Sequence, residues 1–177
     1  MIPSFDDQIN WGFALPFFLA AALLQATIGP MLSIFGGHLD ILLVLVAGWA
    51  VVRSPEEAMI AGPPAALLTG LLAASPIGTP ILALIAPIGL ALLLRSGGAT
   101  PRLPSLCAVA AIGSATAIGL DLAIQFVSGA RDFIFSGLVP VTLGATLLNV
   151  LLAAALYRPL CIGRKRKLVR RTRLSLS

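Results

Sequence analysis

Very few side chains in this sequence could do chemistry. Asp121 is a carboxylate set well inside a long apolar run, and Gln125 follows one helical turn later on the same face. An ionisable group inside a spanning helix is expensive, and where one is retained it points to solute or proton binding. Counted from Leu106, Asp121 lies about 22 Å along its helix, close to the outer interface. A structural pairing with Arg131 or with polar groups of a neighbouring helix therefore competes with a solute role. His38, the single histidine, stands two residues from Asp40. One imidazole without a second ligand candidate reads as an interfacial polar residue. Cys107 and Cys161 are too few and too isolated for a disulfide framework or a metal site. Gln25 and Asn149 are uncharged and mid-helix, suited to hydrogen bonds across helices at about 0.6 kcal/mol each. There is no glycine-rich phosphate loop, no cysteine pair at metal spacing and no nucleophile elbow. The pattern predicts a protein that is not an enzyme and needs no cofactor or metal.

The elements that must position these residues are apolar helices. Of 177 residues, 58% are hydrophobic and 11% charged, with a mean hydropathy of +1.01. A soluble domain is about a quarter charged. A spanning helix needs about 20 apolar residues, so six crossings would consume most of the chain. The expectation is an all-α polytopic membrane protein: a six-helix transmembrane bundle over residues 1–162 and a basic tail over 163–177. The helices are read at 11–35, 40–53, 55–74, 76–95, 106–127 and 133–160. Gly29-Pro30 should kink or end the first. The second is so short that it should use interfacial residues or thin the bilayer. Ser54-Pro55-Glu56-Glu57 opens the third as a capping box with proline at the first helical position, and Pro63-Pro64 should bend it. Ser75 to Pro80 reads as a tight hairpin connection, and Ser96 to Pro104 as a loop.

Charge adds an orientation. Seven of twelve basic residues crowd the end of the chain: Arg164, Lys165, Arg166, Lys167, Arg170, Arg171 and Arg173. Such a run beside an apolar helix marks the cytoplasmic side and can contact anionic lipid or a cytoplasmic partner. It lacks the interleaved aromatics of a nucleic-acid reader, so no nucleic acid is expected. With six crossings and both termini inside, eleven basic residues fall inside and only Arg131 outside. On the third helix Gly62, Ala66, Gly70 and Ala74 recur four apart, a groove for close helix approach. Gly113 and Ala117, and Ala22 and Ala26, repeat the spacing. The groove suits internal packing or a partner helix.

The ordered segments resemble the MreD family of rod-shape membrane proteins. His38-Leu39-Asp40-Ile41-Leu42-Leu43-Val44-Leu45 is similar to the family's second-helix opening. Gly70-Leu71-Leu72 with Ser75-Pro76-Ile77-Gly78 is similar to its glycine-rich third helix and following turn. Leu147-Leu148-Asn149-Val150-Leu151-Leu152 and Leu156-Tyr157-Arg158-Pro159-Leu160 are similar to its closing helix. The resemblance covers residues 38 to 168. It implies a non-enzymatic scaffold of the bacterial cell-elongation complex in the cytoplasmic membrane. Its partners would be an MreC-like single-span protein and, through it, RodA, a penicillin-binding transpeptidase and the MreB filament; a homodimer is compatible. The third-helix stripe and the residues Ser75, Pro76 and Gly78 are the expected partner contacts.

The family's fold also resembles the substrate-binding S-components of energy-coupling-factor vitamin transporters. That supplies a second reading, a subunit holding a small solute in a pocket open to the outside, with Ala22 and Ala26 serving to dock a transport partner. The outer half offers His38, Asp40, Asp121, Gln125 and Arg131 for such a site. A carrier using Asp121 and Gln125 is a third.

Overall fold

The structure is a computed structural model that describes residues 11–73, 78–98, 100, 102–127 and 135–174, with backbone alone at 11–14, 30, 135–136 and 162–174. The described residues form six α-helices and one small hairpin. The order is α1 (Trp11–Ile28), a 3-10 turn (Gly29–Met31), β1 (Ser33–Ile34), β2 (Gly37–His38), α2 (Ile41–Val52), α3 (Pro55–Leu72), α4 (Thr79–Ser96), α5 (Leu103–Val127) and α6 (Phe135–Leu174). Three helical stretches are long and apolar enough to cross a membrane: Thr79–Ser96, Leu103–Val127 and Gly137–Cys161. Leu15–Ile28 and Ile41–Val52 are apolar but shorter. Helix dominates because a backbone placed among apolar side chains must bond within itself. The exterior carries Leu23, Met59, Ile85, Leu93, Val139 and Leu143, all exposed apolar groups, as a lipid-facing surface requires.

The boundaries depart from the sequence reading in four main places, one of them the fourth helix, which begins at Thr79 instead of Pro76. The first helix ends at Ile28 instead of Phe35, because Pro30 has no N–H to continue the ladder. The chain then reverses in an antiparallel hairpin pairing Ser33 with His38 and Ile34 with Gly37. Its two turn residues, Phe35 and Gly36, both have positive φ, 53° and 82°, the geometry that suits strand twist in a two-residue turn. The fifth helix begins at Leu103 instead of Leu106, since Pro104 is tolerated in a first helical turn. The sixth helix continues past Leu160 to Leu174. Lys and Arg are good helix formers, and the residues after Cys161 add about 20 Å of helix.

The centre of the bundle is α2. Residues Leu42 through Val52 are all buried, and α1, α3, α4, α5 and α6 all pack on it. A helix apolar around its whole circumference is stable only when enclosed. Its twelve residues span about 18 Å. Neighbouring helices cover it on all sides. Asp40 caps its start by accepting from the Leu43 N–H at 3.0 Å, and the Arg53 N–H bonds the Trp49 carbonyl at its end.

A two-residue link then turns the chain into α3. The Ser54 hydroxyl accepts from the Glu57 N–H at 3.2 Å and donates to the Glu56 carboxylate at 2.6 Å. The return half of a capping box is replaced. The Ser54 N–H bonds the Trp49 carbonyl, and the Glu57 carboxylate accepts the buried Trp49 indole N–H at 2.8 Å. Phe17 and Phe18 of α1 stack on Trp49, and the Arg53 guanidinium lies 4.3 Å from its ring centre. Arg95, at the end of α4, pairs with Glu56 at 3.6 Å and donates to the Arg53 carbonyl. The start of α5 and the far part of α6 reach the same end, where Leu106 and Leu160 approach Gly48. The six helices therefore alternate up and down, with Arg53 and Arg95 at one end. α3 continues through Pro63 and Pro64 without interruption.

The hairpin docks on α6 backbone to backbone. A methyl group on Gly144 would run into the Ile34 carbonyl oxygen, and one on Gly37 into the Val141 oxygen and the Ala145 nitrogen. Gly144→Ala is expected to lower the thermal midpoint of the detergent-solubilised protein through an overpacking penalty of about 1–3 kcal/mol. Gly119→Ala, where nothing lies within 4 Å of the added methyl, should leave the midpoint unchanged or raise it.

Candidate functional site

Between β2 and α2 the chain is neither strand nor helix, and its peptide groups need partners inside the bundle. Two side chains supply them. Gln25, from the last turns of α1, donates to the Leu39 carbonyl at 3.2 Å and accepts from the Ile41 N–H at 2.6 Å. Asn149, in α6, accepts from the Asp40 N–H at 2.8 Å and donates to the Ser114 hydroxyl of α5 at 2.8 Å. Ser114 passes its own proton to the Ala110 carbonyl at 2.7 Å, the back-bond that hydroxyl side chains make within helices. Asn149 and Ser114 are each 2% exposed. A buried amide left unpaired would cost about 1–3 kcal/mol, so this chain of bonds fixes where α2 begins.

Beside the junction lies a cavity of about 550 Å³, within the range that holds small molecules. It opens at the end of the bundle opposite Arg53 and Arg95. The hairpin contributes Gly36, Gly37 and His38 to its wall, and the ends of α4 and α5 contribute Thr79 and Asp121. Much of the lining is apolar, including Leu42, Leu84, Ile118 and Val141. Its polar groups come from five helices and the hairpin, because the ends of up-and-down neighbours meet there. Asp121 and Gln125 are exposed and bonded to each other at 2.8 Å, one turn apart. The Thr79 hydroxyl is buried with no hydrogen-bond partner among the described residues, which buried polar atoms seldom show.

The residues singled out from sequence distribute as follows. Gln25, Asp121, Gln125 and Asn149 all reach this cavity, as do His38 and Asp40. Gly62, Ala66 and Gly70 are buried in the bundle, with Gly62 facing Leu84 of α4 and Val46 of α2. Gly78 caps α4 and is half-buried. Ala74, Ser75, Pro76 and Arg131 lie outside the described residues, as do the side chains of Arg164, Lys165, Arg166, Lys167, Arg170, Arg171 and Arg173, whose backbone belongs to α6. Cys107 and Cys161 are free thiols, both half-buried. Among the described residues no group of three His, Cys, Asp or Glu side chains could hold a metal ion.

Sequence reasoning missed Thr69, Thr79 and Ser114 as cavity residues, and Gly37 and Gly144 as the hairpin's seat. A hydroxyl in an apolar helix satisfies itself on its own backbone, as Thr69 does on Ala65 at 3.0 Å, so its type carries little signal. No family model matches the chain, and no curated protein or solved structure does either.

Asn149→Leu removes the partner of the Asp40 N–H and of Ser114 together. We expect a loss of about 1–3 kcal/mol and faster hydrogen exchange at the Asp40 amide. Asp121→Asn, on an exposed turn, should leave both quantities at the wild-type value.

Proposed function

We propose that this protein is a non-enzymatic membrane scaffold of the MreD type, an integral subunit of the bacterial cell-elongation complex. One observation carries the reading most directly. Two of the segments that resemble the family, His38 to Leu45 and Leu147 to Leu152, meet through the bond from the Asp40 N–H to Asn149. Segments far apart in sequence thus act as one structural unit, which gives their joint occurrence a physical reason. The up-and-down alternation supports six crossings with both ends cytoplasmic. Arg53 and Arg95 then lie inside with the basic end of α6. In this arrangement the multi-pass chain sits in the cytoplasmic membrane, and its basic helical extension meets anionic lipid or a filament below it.

The partner in this reading is an MreC-like protein with a single spanning helix. Because Gly62, Ala66 and Gly70 are buried, the partner helix meets the opposite side of α3, where Ile60, Leu67 and Leu71 are exposed. Co-expression with such a partner and affinity purification from membranes tests this. The partner should be recovered with the wild-type chain and with Leu151→Trp on α6, and lost with Leu67→Trp. Equal recovery with both variants would place the contact elsewhere, and no recovery with the wild type would remove the scaffold reading.

The cavity favours a second reading, a subunit that holds a small solute as the S-components of vitamin transporters do. A ligand that binds only the folded chain raises its midpoint by mass action. Under this reading a screen of soluble vitamins and metals against the purified protein gives at least one concentration-dependent rise. A flat screen counts against it.

A further inference from the structure

We infer that the outer cavity selects a small organic cation, an ammonium group carried on an apolar body. The inference rests on the solute-binding reading and adds the chemistry of the ligand. Two carboxylates, Asp40 and Asp121, line the space, and no Lys or Arg does so among the described residues. A ligand that brought a negative charge would face both carboxyl groups, with no Lys or Arg among the described residues to offset it. Asp40 spends one oxygen on the Leu43 N–H, and its second oxygen accepts nothing among the described residues. Asp121 accepts from Gln125 through one oxygen, and its other oxygen accepts nothing among the described residues.

Uncharged groups complete the match. The Thr79 hydroxyl, buried and without a partner among the described residues, can accept a hydrogen bond from an ammonium as readily as it donates one. The remaining wall, with Leu42, Leu84, Ile118 and Val141, suits a hydrocarbon or aromatic body. Asn149, Ser114 and Gln25 are already occupied by the junction, so they frame the space without needing the ligand. An ammonium of this kind can come from a free amine or from an ethanolamine lipid headgroup, and the chemistry recognised is the same.

The test uses the full chain in nanodiscs of phosphatidylglycerol, with three probes of similar shape: phenethylamine, 2-phenylethanol and phenylacetate. Calorimetry and thermal unfolding follow binding. Phenethylamine should bind saturably, and Asp121→Asn should weaken it about tenfold or more, the loss of one charge-assisted bond. Thr79→Val, which removes a hydroxyl that no described residue uses, should weaken it without lowering the unliganded midpoint. Loss of the phenethylamine signal in phosphatidylethanolamine nanodiscs, with recovery in phosphatidylglycerol, would assign the natural ammonium to the headgroup. Persistence in both would assign it to a free amine. Binding of the alcohol or the carboxylate as tightly as the amine, or indifference to both variants, would overturn the cation selectivity while leaving a solute chamber. Saturable binding of none of these probes would overturn the selectivity, and only a flat vitamin and metal screen besides would remove the chamber.

Discussion

Everything in this bundle depends on the two peptide groups that link Leu39, Asp40 and Ile41, where the chain passes from the hairpin into α2. Leu39, Asp40 and Ile41 must turn the chain from the hairpin into α2 inside an apolar assembly, where water is not at hand to satisfy them. Gln25 and Asn149 take that role from opposite sides. Their bonds settle the level at which α2 starts. They also hold α1, α5 and α6 at the spacing that leaves a cavity between the helix ends. The polar residues that look costly in an apolar sequence are thus mainly backbone partners. The same constraint explains their depth, since an amide exposed to water would not need a dedicated acceptor.

Enclosure of α2 follows from this. A twelve-residue apolar rod would be a poor lipid-facing span, yet surrounded by five neighbours it forms the bundle's axis. Its two ends are treated differently. The Asp40 end is capped, clamped and flanked by open volume. The Arg53 end is closed by Trp49, the phenylalanines of α1 and the Glu56–Arg95 pair. The Arg53 end is filled by aromatic rings and an ion pair, whereas the Asp40 end leaves the cavity between the helix ends.

How much of this could be read from the chain differs by element. The limits of α2 were legible because Asp40 and Arg53 bracket an unbroken apolar run, and the α3 start because Ser54-Pro55 is a cap followed by a residue without an N–H. The hairpin was not legible. Its strands are two residues long, too short for an alternating pattern to register, and Phe35 sits at positive φ where glycine would have given the cue. The extension of α6 was obscured because a basic run reads as solvated chain while its residues favour helix. Within the site, Gln25, Asp121, Gln125 and Asn149 stood out as polar residues in apolar stretches. Asp121 and Gln125 group with His38 and Asp40 on the sequence alone, but the convergence of Gln25 and Asn149 on the same cavity was not legible, since it depends on helix order in space. The stripe at Gly62, Ala66 and Gly70 was visible as a groove, but what fills it is decided by tertiary packing.

The bond between Asp40 and Asn149 also has a consequence for biosynthesis. Its partners are separated by 109 positions, so the acceptor does not exist when the donor leaves the ribosome. At about 5–20 residues per second, the nascent hairpin waits some seconds before the last helix arrives. Insertion of the early segments must therefore tolerate an incomplete junction, and the cavity takes shape only as translation ends.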